Sequence, residues 1–124
     1  MKISEHDEQV ALVKWFRLQY SKYKHHLFAI PNGAHLAGDV KIRSIKMHKM
    51  KSEGFVNGIA DLFLMIPNEN YHGLFIEMKS INGVLSDDQK EFRERAKNMG
   101  YKSVVCWGFD EAKTVIDEYL RLNN

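Results

Sequence analysis

Residues 58–79 read GIADLFLMIPNENYHGLFIEMK, and the fold turns on this stretch. It contains two apolar runs, 59–66 and 74–79, joined by the polar segment PNENYHG. Short apolar runs bounded by Gly and Pro read as strands, and so short a connection makes them an antiparallel hairpin. Asp61 lies inside the first run, and Glu77 and Lys79 inside the second. Side chains alternate along a strand, so Phe75, Glu77 and Lys79 share one face. Leu74, Ile76 and Met78 take the other and supply the burial. With the turn centred near residues 69–70, Asp61 falls opposite Glu77 or about one residue away. Burying an unpaired charge costs on the order of several kcal/mol. Three ionisable groups on neighbouring strands therefore read as one unit.

At the start of the chain, Ser4 followed by an acid three residues on starts a helix over 5–20, with Leu12, Val13, Phe16 and Tyr20 on its buried side. Helical spacing puts Glu8 on or beside that apolar face. It equally suits a favourable acid near a helix N-terminus. Residues 27–30 form a short strand, stopped by Pro31-Asn32-Gly33, whose turn chemistry is strong. Asp39 caps a second helix over 40–53, ended by Gly54, which can rest on the core with a modest stripe of Val40, Ile42, Ile45, Met47 and Met50. Its other side carries Lys41, Arg43, Lys46, Lys49 and Lys51. Ser86 and Gln89 form a capping box for a third helix over 87–99. There Gln89 leads the series Phe92, Ala96, Met99 toward the core, or simply closes the cap. Residues 103–107, SVVCW, read as a strand buried on both faces, and 109–122 as a final amphipathic helix. The order αβαββαβα gives the α/β class, a mixed β-sheet flanked by helices.

The chain has 124 residues, 44% hydrophobic and 27% charged, which suits one soluble domain spanning 1–124. It has no apolar run long enough for a bilayer and no signal-peptide core near its start, so a cytoplasmic protein is expected. A single cysteine, Cys106, excludes an internal disulfide and a cysteine-zinc cluster. The net charge of +2 conceals an asymmetry: residues 14–51 hold nine Lys/Arg, Lys22 and Lys24 among them, against one acid, Asp39. A one-sided basic segment beside buried acids points to a polyanionic partner, or else to a solvated basic face.

Asp61 and Glu77 offer hard oxygen ligands that suit Mg2+, with Mn2+ able to substitute. A lysine beside them neutralises developing negative charge or orients water, which is the chemistry of phosphodiester hydrolysis. Glu8 and Gln89, reaching in from flanking helices, could hold a second ion, a water or the lysine. The bland alternative is a strand pair with one salt bridge. Other templates lack anchors: there is no G-x-S-x-G, no Gly-rich phosphate loop and no H-x-x-x-H.

With these residues in place the sequence resembles the VRR-NUC (virus-type replication-repair nuclease) domain of the PD-(D/E)xK nuclease superfamily, in its small stand-alone form. The matching stretches are 31–33 (PNG), 53–62 (EGFVNGIADL), 75–79 (FIEMK) and 85–89 (LSDDQ), with Glu8 in the first helix. The resemblance implies a restriction-endonuclease-like core and a Mg2+-dependent DNA endonuclease, often dimeric, selective for branched DNA such as a Holliday junction or flap. It implies Asp61 and Glu77 as metal ligands with the Met78 carbonyl, Lys79 as the catalytic lysine, and Glu8 and Gln89 as supporting residues. DNA contacts are expected from Lys22, Lys24, Asn32, Lys41, Arg43, Lys46 and Lys49. Trp15, Tyr23 and Phe55 are candidates for a homodimer interface. Ala60 stands where the pattern expects proline, a strand-shaping position without chemistry. A non-catalytic DNA-binding or docking module on the same fold is the alternative.

Overall fold

The computed structural model describes residues 3–31 and 37–121. Its elements are α1 (Glu5–Gln19), a 3-10 turn (Ser21–Tyr23), β1 (Leu27–Ala29), α2 (Val40–Ser52), β2 (Leu62–Leu64), β3 (Leu74–Lys79), α3 (Asp87–Asn98), β4 (Lys102–Trp107) and α4 (Phe109–Arg121). The order is the expected αβαββαβα. The caps follow the sequence: Ser4 accepts from the Asp7 N–H, Asp39 from the Ile42 N–H, and Ser86 with Gln89 forms the reciprocal box.

The sheet order is β1-β2-β3-β4. β1 and β2 are antiparallel, as are β2 and β3, whereas β4 lies parallel to β3 across the α3 crossover. Leu12 and Phe16 of α1 and Ala112, Ile116, Tyr119 and Leu120 of α4 cover one sheet face. From the sheet they meet Leu27, Leu62, Leu64, Leu74, Ile76, Met78 and Cys106. Tyr119 is buried because its hydroxyl finds the Ile66 carbonyl at 2.7 Å. On the other face α3 sets Phe92 and Ala96 against Ala60, Phe75 and Tyr101.

Gly58 fixes the approach to Asp61. Its φ is +86°, and a Cβ there would stand 2.4 Å from the Asp88 carbonyl carbon. Only glycine both adopts that conformation and lets this loop touch the first turn of α3.

Five expectations are corrected. β2 covers 62–64 rather than 59–66; toward β3 its backbone pairing begins only at Leu62, because the Asp61 carboxylate takes the Met78 N–H, while the Asp61 carbonyl still accepts the Ile30 N–H. β4 is an edge strand, so of its residues only Cys106 is buried and Trp107 is 42% exposed. An apolar run alone does not tell an edge position from a central one. α2 does not rest on the core, for it has no buried residue. Met99 is exposed, while Trp15 packs edge-on against Phe16, Tyr20 and Phe109 and is no free interface residue.

Candidate active site

The pairing of Leu62 with Ile76 carries Asp61 to a position opposite Glu77. At that point a side chain replaces the ladder: Asp61 Oδ2 accepts the Met78 N–H at 2.8 Å. In an extended strand the N–H and C=O of one residue point to the same edge. The Met78 carbonyl therefore faces the Asp61 side as well.

Glu77 is 5% exposed and is the one buried charged side chain among the described residues. Burial, then the Asp61 charge and a hydrogen bond shared with it, push the Glu77 carboxyl up to about 8 from an ordinary 4.5. Lys79 works against this rise, while Glu5 adds to it. The Glu77 carboxyl is thereby held toward its neutral form in the metal-free chain. Lys79 Nζ lies 3.8 Å from Glu77 Oε2, with only 11% of its side chain exposed, and this is the one ion pair among the described residues.

The loop after β3 positions that lysine. A Cβ on Gly83 would stand 3.2 Å from both Cβ and Cδ of Lys79, so the bare glycine backbone rests on the lysine stem. The Trp107 indole N–H donates to the Gly83 carbonyl at 2.8 Å and holds the loop there.

The outlying candidates divide. Glu8 does not turn to the carboxylate pair. Its Oε2 accepts the Phe109 N–H at 2.6 Å, meeting one of the free donors at the start of α4. Gln89 Oε1 accepts the Ser86 N–H at 2.9 Å and closes the capping box. Lys22, Lys24, Lys41, Arg43, Lys46 and Lys49 are exposed. Lys46 Nζ donates to the Ala37 carbonyl at 2.8 Å, and no ion pair joins these cations to the carboxylates among the described residues. Asn32 lies outside the described residues. Glu8→Gln is expected to cost about 1 kcal/mol in urea unfolding through the weakened cap. Unchanged stability would remove that role.

Three neighbours of the site were not found from sequence: Glu5, Gly83 and Trp107. Glu5 and Glu8 both stand in the first turn of α1, and spacing along the helix does not say which of the two acids bears on Glu77. The Trp107 contact spans 24 residues and leaves no local signal.

The model of the VRR-NUC domain family matches residues 3–110. A solved structure described as a VRR_NUC domain protein is 27% identical, with a TM-score of 0.84 over 100% of this chain and 93% of that one. Among curated proteins none matches. No described helix is long and apolar enough to cross a membrane. The matched span takes in both carboxylates, the lysine and the α3 cap, and the superposed structure shares the mixed sheet and its flanking helices; the chain belongs to the VRR-NUC domain family, with the nuclease-type fold of that family.

Proposed function

We propose that the chain is a Mg2+-dependent endodeoxyribonuclease that hydrolyses phosphodiester bonds, selective for branched DNA. The observation that carries this reading is a buried Glu77 opposite Asp61, with Lys79 at 3.8 Å. Two carboxyls forced to share a proton form a site that a cation suits, since a cation removes their mutual repulsion. Among the described residues no third His, Cys, Asp or Glu joins them as a ligand set. That sparse oxygen set fits Mg2+, or Mn2+ in its place, because Mg2+ keeps several waters and takes one or two carboxylates. Asp61, Glu77 and the Met78 carbonyl would hold the ion. When bound, it supplies charge neutralisation at the phosphate and acidifies water beside it.

The other roles belong to the chain's own residues. Lys79 holds a positive charge where the scissile phosphate gains negative charge, and its ammonium can donate a hydrogen bond that orients the attacking water. Glu8 and Gln89 act as positioning residues, through the caps of α4 and α3. The exposed cations of α2, with Lys22, Lys24 and Asn32, contact DNA phosphates. Two copies pair as a homodimer, since symmetric cuts across a junction need two sites about a two-fold axis. Ile42 and Ile45, three apart on α2 and 45% and 61% exposed, offer apolar area for that contact. A reducing cytoplasm suits the one, buried thiol.

The test is cleavage of labelled duplex, flap and four-way junction with Mg2+, Mn2+ or EDTA, beside an Asp61→Ala control. Cutting is expected to need both metal and Asp61, and to be fastest on a branched substrate. Tight binding without cutting on every substrate would overturn the enzyme reading in favour of a docking module.

A further inference from the structure

On the free side of β4, away from β3, a cleft of about 230 Å³ opens between that strand and α3. Three cations line it: Arg93 and Lys97 from α3 and Lys102 from β4. Glu94 is the one acid on its wall, and no ion pair forms between it and any of the three among the described residues. The cleft is therefore net positive. Arg93 is poorly satisfied: its Nη2 reaches the Ser103 carbonyl only at 3.4 Å, and its buried Nε has no acceptor among the described residues. A guanidinium with unused donors, beside two ammoniums that form no ion pair among the described residues, asks for an oxyanion. Tyr101 adds an aromatic wall, and Tyr71 another, with Lys102 Nζ lying 5.2 Å from its ring centroid.

We infer that this cleft is a second phosphate-binding site, specific for the phosphate of a nucleotide or nucleic-acid strand. Its position favours the strand. Ser103 pairs with Phe75, two residues before Glu77 on β3 and on the same face. At about 3.3 Å per residue and about 4.8 Å between strands, the Ser103 backbone stands roughly 8 Å from that of Glu77, and the cleft opens beyond it. A strand cut at the carboxylates would reach the cleft within a few nucleotides. Lys22 and Lys24 lie just before β1, the opposite edge of the sheet from β4, so this site would hold the strand from the other flank. The inference rests on the nucleic-acid binding in the proposed function, and its test is made in EDTA so that cleavage plays no part.

The experiment compares wild type, Lys97→Gln/Lys102→Gln and the single surface change Lys97→Glu, each checked for an unchanged melt. Binding of a labelled four-way junction and of a duplex is measured against salt. In parallel, dAMP and inorganic phosphate are titrated while the Ser103 amide is followed by NMR. For a strand phosphate, the double variant is expected to bind about tenfold more weakly at low salt, with the log affinity–log salt slope reduced by about one on both DNAs. An unchanged slope, with dAMP or phosphate moving the Ser103 amide in wild type but not in the variant, would assign the cleft to a free phosphate ester. Unchanged slopes and no amide shift would overturn the site. Wild type that binds no DNA yet answers to phosphate would overturn the nuclease reading and leave the cleft standing.

Discussion

Lys79→Ala is expected to lower DNA cleavage by about a thousandfold while binding in EDTA stays within about twofold. The lysine is almost enclosed, its Nζ lies beside Glu77, and its stem is held under Gly83 by the Trp107 bond. A charge so placed contributes where the phosphate reacts and little to long-range attraction of DNA, which the exposed cations provide. Removing it also strips the carboxylate pair of its one nearby cation, so the pair keeps its proton more tightly. Lys79→Arg restores charge but brings a wide planar fork into a space shaped for a compact ammonium, and is expected to recover little. The loss therefore tests position and not charge alone. Cleavage by Lys79→Ala at the wild-type rate would remove Lys79 from the site.

The hairpin was legible because alternation is a local property. Glu77 and Lys79 fall on the less buried face of β3, and the turn length alone put Asp61 opposite Glu77, as the register has it. The helix starts were legible for the same reason: Ser4, Asp39 and Ser86 bond three residues ahead. What escaped depends on assembly. Nothing within 103–107 says that β4 has a neighbour on one side only, so its apolar run read as central. Nor does α1 alone reveal that Glu8 reaches across to α4 while Glu5 adds charge near Glu77. The late start of β2 has a chemical cause, the Asp61 carboxylate taking the Met78 N–H, which no propensity encodes. The same bond orients Asp61 within the site, so the irregularity in the sheet and the candidate chemistry have one origin.

In EDTA, the folded protein is expected to lose stability as pH rises from about 4.5 to about 8, and Glu77→Gln to abolish most of that slope. The Glu77 carboxyl sits at about 8 in the folded chain against an ordinary value of 4.5. Between those values the folded state keeps a proton that the unfolded chain has released. Stability then falls with rising pH, in contrast to a salt-bridged carboxylate, whose contribution grows. The contribution is whole below the unfolded value and gone above the folded one. With Glu77 buried, the full loss is on the order of a few kcal/mol. The readout is the difference between wild type and Glu77→Gln in urea unfolding at several pH values, which cancels every other titrating group. Asp61→Asn removes the like charge next to Glu77 and is expected to flatten the slope in part. Mg2+ must displace the shared proton to bind, so its stabilising effect is expected to be small near pH 5 and larger near pH 8. A wild-type slope equal to that of Glu77→Gln would mean that Glu77 is already ionised in the folded chain. The carboxylate pair would then have a cation partner other than the ion proposed here.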